Sequence, residues 1–526
     1  MEIKNFSLLS RNFYYNLCGI IIDISNASSL MECYKPSFTE VTTGVVLSLL
    51  IAGLMFTLVS TFGTIPVGDG FGWDGYAFNK IIVEIINDTY SNAEPYRTIR
   101  TLAFPLLYVF YFFKLSGDII FYQKIFNIIL VSLSFLLLYF TMLVNRINYK
   151  YIAVSLTCFI ASWCTLVMPL YYPILSDHIV IFISALALFF WSTGSFFGLS
   201  ILVLLCVWIM PSSFLIPLAL LSFPNKNIEL LIPVINERKI KCIAFILTCL
   251  ISMLIFFTVG YQLLDGIENH VVNFSNNITK DLTGDRKLLP LSIAVAFLMV
   301  YLTLKLAIKL LTSKVVFKGV SHFYLLTGLT VALLSFIMIR LIIDFSNGFS
   351  GPPLIANLVK QTFAAPGKTW LAHFVYFGPC VLIVYFYLFT KRINCLPTGI
   401  VICIAGFFPM LSFGSETRQW IVIFPVIIFA LAFLKIKLYS SVVVLLYSFM
   451  SLKDAFVLND STIEAVNSNI GYQDSLWQIY FGKLGPWMAM SNYDKEMLYC
   501  GVFVMLYLIA AKMDNKKACG RSCYKH

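Results

Sequence analysis

Three short stretches hold the residue types that chemistry at a membrane surface would use. The first reads Val67-Gly68-Asp69-Gly70-Phe71-Gly72-Trp73-Asp74-Gly75-Tyr76-Ala77-Phe78, two carboxylates among four glycines. Glycine lets the backbone turn tightly and come close to a ligand. An aspartate that has lost part of its water gains basicity and can take a proton from a hydroxyl. An ordinary Asp-Gly turn is the plainer explanation of such a pair taken alone. The second stretch is Glu94-Pro95-Tyr96-Arg97-Thr98-Ile99-Arg100-Thr101-Leu102-Ala103-Phe104-Pro105-Leu106. Arg97 and Arg100 are three apart, so a helix puts them on one side. A guanidinium suits a pair of phosphate oxygens, although two arginines snorkelling at a helix end would look the same. The third is Tyr171-Tyr172-Pro173-Ile174-Leu175-Ser176-Asp177-His178. Asp177 could orient a hydroxyl or help hold a metal, and His178 could donate to phosphate. The competing reading is a helix cap made by Ser176 or Asp177.

Two more charged groups stand near apolar runs. Arg340 and Asp344 are four apart and can pair on one helix face. Ionisable groups in such runs are costly and tend to face an interior cavity. Ser415-Glu416-Thr417-Arg418-Gln419-Trp420 separates two apolar runs, with Trp420 suited to a membrane–water boundary.

The elements that must position these residues follow from composition. The chain has 526 residues, of which 12% are charged and 59% hydrophobic, and its mean hydropathy is +0.86. A soluble domain carries about 25% charge. Half that charge cannot cover a soluble protein of this length, which excludes a cytosolic enzyme, a disordered chain and a secreted disulfide scaffold. The expected fold is an all-α polytopic membrane protein. The net charge of +11 then reports basic cytoplasmic loops, not a nucleic-acid partner. The 13 cysteines fall mostly inside apolar runs and read as small core residues. Neither a zinc pattern nor a phosphate-binding glycine motif is present, so ATP-driven transport and NAD chemistry have no support.

Apolar runs near 41–63, 125–144, 151–170, 179–196, 241–264, 288–311, 323–344, 371–390, 397–412, 419–434, 438–451 and 496–511 predict roughly a dozen to fourteen helices, at about 20 residues each. Residues 198–224 contain Pro211 and Pro217 and read as a hairpin of two short or broken spans. The organisation is an N-terminal cytoplasmic or interfacial segment (1–40), a transmembrane domain (41–511) and a basic cytoplasmic tail (512–526). Arg146, Lys150, Arg238, Lys239, Lys241, Lys314, Lys318, Lys391, Arg392, Lys435 and Lys437 belong on one side, the cytoplasmic one. That sidedness requires the run 102–113 to lie in the outer leaflet without crossing. It leaves a long first outer loop (64–124), a second at 171–178, loops at 265–287 and 345–370, and a late one at 412–420. His270, Asn276, Lys280, Lys360 and Lys368 would form part of an outer rim.

An acidic Asp-Gly element past the first span, followed by Tyr96-Arg97-x-x-Arg100 and Pro105-Leu106-Leu107, resembles membrane glycosyltransferases of the GT-C fold class. The likeness covers about residues 41–180. It implies a GT-C-like helical bundle whose long first outer loop bears interfacial helices. It also implies a polyprenyl-phosphate sugar as donor, a glycan such as O-antigen as acceptor, and a site facing the periplasm from a bacterial inner membrane. By that resemblance Asp74 is the acidic residue needed for catalysis, with Asp69 second and Asp177 matching the acidic residue of the second outer loop. Arg97, Arg100, His178, Arg340 and Arg418 would bind the donor phosphate. Tyr76, Tyr96 and Glu416 would stand on the acceptor side or behind. No metal ligand set is assigned, although Asp69, Asp74 and Asp177 together would offer a divalent ion an oxygen-rich site. Alternatives within the same glycan chemistry are a polymerase or ligase, or a flippase for a lipid-linked glycan.

Overall fold

A computed structural model describes residues 36–65, 68–90, 95–224, 228, 231, 233–254, 284–343, 362–453, 455, 485, 488 and 490–523. Among them every regular element is a helix, with one isolated bridge between Pro233 and Ser313. The helices used below are α1 (Phe38–Thr57), α2 (Gly72–Ile86), α3 (Pro95–Ile99), α4 (Pro105–Phe112), α5 (Ile119–Val144), α6 (Tyr149–Ile160), α7 (Asp177–Thr193), α8 (Phe196–Ile209), α9 (Leu215–Ser222), α10 (Leu289–Leu311), α11 (His322–Ile342), α12 (Lys368–Phe377), α13 (Cys380–Leu388), α14 (Thr398–Phe413), α15 (Phe424–Phe433), α16 (Leu438–Met450) and α17 (Met490–Cys523).

Five of the described helices are long and apolar enough to cross a membrane: α1, α5, α10, α11 and the segment Met490–Asn515 of α17. The bent pair Tyr149–Ile160 and Trp163–Tyr171 makes a sixth if counted as one span, and shorter apolar helices accompany them. Large apolar side chains face outward on these helices, including Leu49, Leu50, Leu333 and Leu341. Such a surface is stable against lipid tails, and the chain is a membrane protein. Proline accounts for several of the shorter helices: Pro211 follows the end of α8, Pro379 separates α12 from α13, and Pro425 sits in the first turn of α15, each removing a backbone donor.

Two ends of the bundle can be told apart by their contacts. At one end Tyr139 and Tyr149 hold Glu40 at the start of α1, and Asn145 donates to the Ser192 hydroxyl at 2.8 Å. Trp191 donates to the Phe223 carbonyl there, and Lys437 meets Asp514 and Asn515. This end carries Arg146, Lys150, Arg392, Lys435 and Lys437, the cations that the sequence places on one side. The chain reverses at the opposite end between α8 and α9, where Ser212 reaches the Gln419 carbonyl, so 198–224 forms the expected hairpin. Helix α4 has eight residues, about 12 Å at 1.5 Å per residue, far short of a bilayer.

Helix α5 runs through the centre, capped by the Asp118 carboxylate, which accepts from the Ile120 amide at 2.9 Å. Gly44 of α1 lies so close to the Tyr139 ring that a Cβ would come within 2.7 Å of it. Beyond α6 the chain bends by 64°. Ser162 and Thr165 hydroxyls donate to the freed Phe159 carbonyl, which is how a broken helix stays satisfied away from water. The bend delivers Tyr171 and Tyr172 to the end opposite the lysines. There the Ile65 amide donates to the Tyr171 carbonyl at 2.8 Å. Asn127 of α5 donates to the Pro169 and Pro173 carbonyls.

Candidate functional site

The start of α2 meets the segment before α7 through glycine. Gly72 has φ +71°, and a Cβ there would lie 2.2 Å from the Tyr172 ring; one on Gly75 would lie 2.9 Å from Ile174. Only bare backbone lets the start of α2 press this close. The result is a backbone contact in which the Asp74 amide donates to the Tyr172 hydroxyl at 3.0 Å.

From this position Asp74 reaches two arginines. Arg97 donates to Oδ1 at 3.2 Å and Arg418 to Oδ2 at 3.3 Å. Arg418 Nε also lies 3.4 Å from Asp177 Oδ2, an ion pair without good hydrogen-bond direction. The guanidinium rests on the Tyr172 ring at 5.5 Å. Tyr376 of α12 donates to the same Asp177 oxygen at 3.0 Å, while Asp177 Oδ1 is buried and accepts no hydrogen bond. Three segments far apart in sequence, 74–97, 172–177 and 376–418, thus form one charged cluster. It is open on one side: about a third of the Asp74 and Arg97 side chains is exposed, against 1% of Asp177.

Arg100 stands behind them in the turn Arg100–Ala103. It is buried, donates to the Ser176 hydroxyl at 2.5 Å and the Tyr96 hydroxyl at 3.0 Å, and lies over the Phe78 and Tyr96 rings. No carboxylate among the described residues is within ion-pair distance of it. Ser176 therefore serves Arg100; its side chain makes no cap bond to α7.

The expected gain in Asp74 basicity is corrected by this geometry. Burial alone would raise its pKa, but the fields of Arg418, Arg100 and Arg97, with the Arg97 hydrogen bond, hold the carboxyl below its ordinary 3.8. Glu416 goes the other way. Burial, only partly offset by Arg418, pushes its carboxyl up from 4.5, and it accepts from Gln419 at 2.5 Å.

The other candidates fall around this centre. His178 is buried, and neither ring nitrogen completes a hydrogen bond. Arg340 is exposed near the end of α11, where Ile339 and the following Ile343 cluster with Ile99, which lies between Arg97 and Arg100. Its expected partner Asp344 lies outside the described residues. Asp69 is exposed in the preceding turn at φ 53° and joins none of the ion pairs. Tyr76 is exposed over the Gly68 turn. Asp69, Asp74 and Asp177 do not converge as a ligand set, because Arg418 stands between the latter two. Among the described residues no three His, Cys, Asp or Glu side chains group as metal ligands. Lys368, expected on a rim, is buried at the start of α12, and His270, Asn276, Lys280 and Lys360 lie outside the described residues.

Compared with known proteins, the chain matches no family model, no curated protein and no solved structure.

Three contributors escaped sequence reasoning. Tyr172 and Ser176 sit in the loop that contains Asp177, so an aromatic-and-hydroxyl reading of that loop would have found them. Tyr376 is one polar tip in an apolar run, and nothing in its neighbours marks it.

Proposed function

We propose that the chain is an inverting glycosyltransferase that moves a sugar from a polyprenyl-phosphate carrier to a surface glycan such as O-antigen. The site would face the periplasm of a bacterial inner membrane. The observation that carries this reading is Arg100, a buried guanidinium held by two hydroxyls and two rings with no carboxylate among the described residues at ion-pair distance. A buried charge is costly without a counter-ion, and a bound phosphate supplies one. Arg97 and Arg418 gather with Arg100 around this site, and burial pushes the nearby Glu416 carboxyl up from its ordinary value.

In the free protein Asp74 is a weak base because arginines neutralise it. A donor phosphate competes for those guanidiniums. As Arg97 and Arg418 turn to the phosphate, Asp74 loses the fields that depress its pKa, so its basicity rises when the donor is in place. It then takes the acceptor hydroxyl's proton. The acceptor oxygen attacks the anomeric carbon, and the bond from that carbon to the phosphate oxygen breaks with its electron pair leaving on the phosphate. The arginines stabilise that departing charge. One displacement inverts the anomeric centre.

The test is transfer from a labelled polyprenyl-phosphate hexose by purified protein in nanodiscs. Asp74→Asn should lower the rate by roughly 10²–10⁴; undiminished transfer removes Asp74 from the chemistry. Glycan mass analysis of cells lacking the protein separates the alternatives. Loss of one hexose-sized unit per repeat fits transfer, shortened chains fit a polymerase or ligase, and an unchanged glycan that accumulates on its lipid carrier inside fits a flippase.

A further inference from the structure

At the other end of the bundle, the one with Arg146 and the paired lysine loops, a cavity of about 330 Å³ opens between the ends of α13, α16 and α17. That volume lies within the ~300–1,000 Å³ of small-ligand sites. Its wall is largely apolar, with Ile436 and Ala511, but it carries the cations Arg392 and Lys437 beside Tyr387, Ser440 and Asp514. The charges do not cancel where they stand. The Asp514 carboxylate is committed to the start of α16, accepting from the Tyr439 and Ser440 amides at 3.2 and 3.0 Å and from the Ser440 hydroxyl at 2.8 Å. Lys437 Nζ is held by neutral acceptors, the Asp514 carbonyl at 3.4 Å and Asn515 Oδ1 at 3.1 Å. Arg392 donates to the Tyr387 hydroxyl at 3.1 Å and stacks on that ring at 4.8 Å. The Tyr387 hydroxyl is fixed in turn by Tyr507 at 2.9 Å. Neither cation makes an ion pair among the described residues.

We propose that this cavity binds a phosphate group, with Arg392 and Lys437 as the charged ligands. Arg392 is preset by its ring and hydroxyl contacts, so little of its side-chain freedom remains to be lost on binding. The phosphate has two sources: the headgroup of an anionic lipid in the leaflet at this end, or a soluble phosphate compound. By the positive-inside rule this is the cytoplasmic end. The site is therefore separate from the Arg97–Arg100–Arg418 cluster and does not rest on the transfer reaction.

The experiment uses the full chain in nanodiscs and reads the rate of amine modification of Lys437 by mass spectrometry, with exposed Lys435 as internal reference. Two probes are compared: pyrophosphate added to phosphatidylcholine discs, and discs containing phosphatidylglycerol without added phosphate. Protection of Lys437 relative to Lys435 by pyrophosphate assigns a soluble ligand. Protection by phosphatidylglycerol alone assigns a lipid headgroup. Arg392→Gln should weaken the effective probe about tenfold or more, the scale of a lost charge-assisted hydrogen bond, while Lys435→Gln leaves it unchanged. Unaltered Lys437 reactivity with both probes overturns the proposal, and so does equal protection in Arg392→Gln. Should Arg392→Gln fail to fold, the wild-type comparison still decides. Loss of transfer activity plays no part in the readout, so the proposal and the enzyme reading fail separately.

Discussion

Arg418→Met gives the sharpest test of how the charged cluster is built. Arg418 touches two carboxylates in very different surroundings: Asp74 is about one third exposed, whereas Asp177 is 1% exposed. The exposed link is worth about 0.2–1 kcal/mol. The buried one is different, because methionine leaves an ionised carboxylate inside the protein with the Tyr376 hydroxyl as its donor. Removing one partner of a buried pair costs about 3–5 kcal/mol. Arg418 itself is 20% exposed, so the lower end applies, about 3 kcal/mol or roughly 150-fold in the unfolding equilibrium. The Asp74 link that Arg97→Met removes lies on the exposed face and is worth about 0.2–1 kcal/mol. The measurement is reversible denaturant unfolding in mixed micelles, followed by tryptophan fluorescence. Adding Asp177→Asn to Arg418→Met should recover most of the loss, since it removes the stranded charge and keeps an acceptor for Tyr376. A double-mutant coupling of about 2–3 kcal/mol is expected. The reasoning is refuted if Arg418→Met costs no more than Arg97→Met, or if Asp177→Asn restores nothing.

Other outcomes follow from the same geometry. Because Asp74 is depressed below 3.8, its stabilising pairs are fully present above that value and are lost as pH falls through the lowered pKa; Asp74→Asn should abolish that acid limb in a stability–pH profile. Glu416 is raised above 4.5, so its contribution is present below that value and is lost as pH rises through the folded pKa. Glu416→Gln should therefore flatten the decline above pH 4.5, and an unchanged slope would place the titrating group elsewhere. Gly72→Ala forces a Cβ to within 2.2 Å of Tyr172 at φ +71°, and a loss of about 1–3 kcal/mol should appear in the same unfolding assay. Arg100→Gln should raise the KM for a polyprenyl-phosphate sugar more than it lowers kcat if the guanidinium binds the ground-state phosphate; a pure kcat effect would assign it to the departing charge.

Much of the molecule was legible in one dimension because a bilayer imposes a one-dimensional constraint. A span must be apolar along its length, and basic loops stay on one side. The places of the long apolar helices, the reversal between α8 and α9 and the sorting of lysines to one end follow from that rule, whereas the 64° bend after α6 and the break between α12 and α13, each inside a run expected to cross whole, do not. The residue types at Asp74, Arg97, Arg100, Asp177 and Arg418 were also visible, since a charge in a 59% hydrophobic chain stands out. Their partnership was not. Asp74 and Arg418 are 344 positions apart, and no periodicity links a first loop to a late one. The direction of the Asp74 pKa shift was misjudged for the same reason: loss of water depends on local surroundings, but the arginines that outweigh it arrive from distant segments. Tyr172, Tyr376 and the cavity around Arg392 were likewise decided by packing, where a hydroxyl or a guanidinium acquires a role only from the neighbours that folding brings to it.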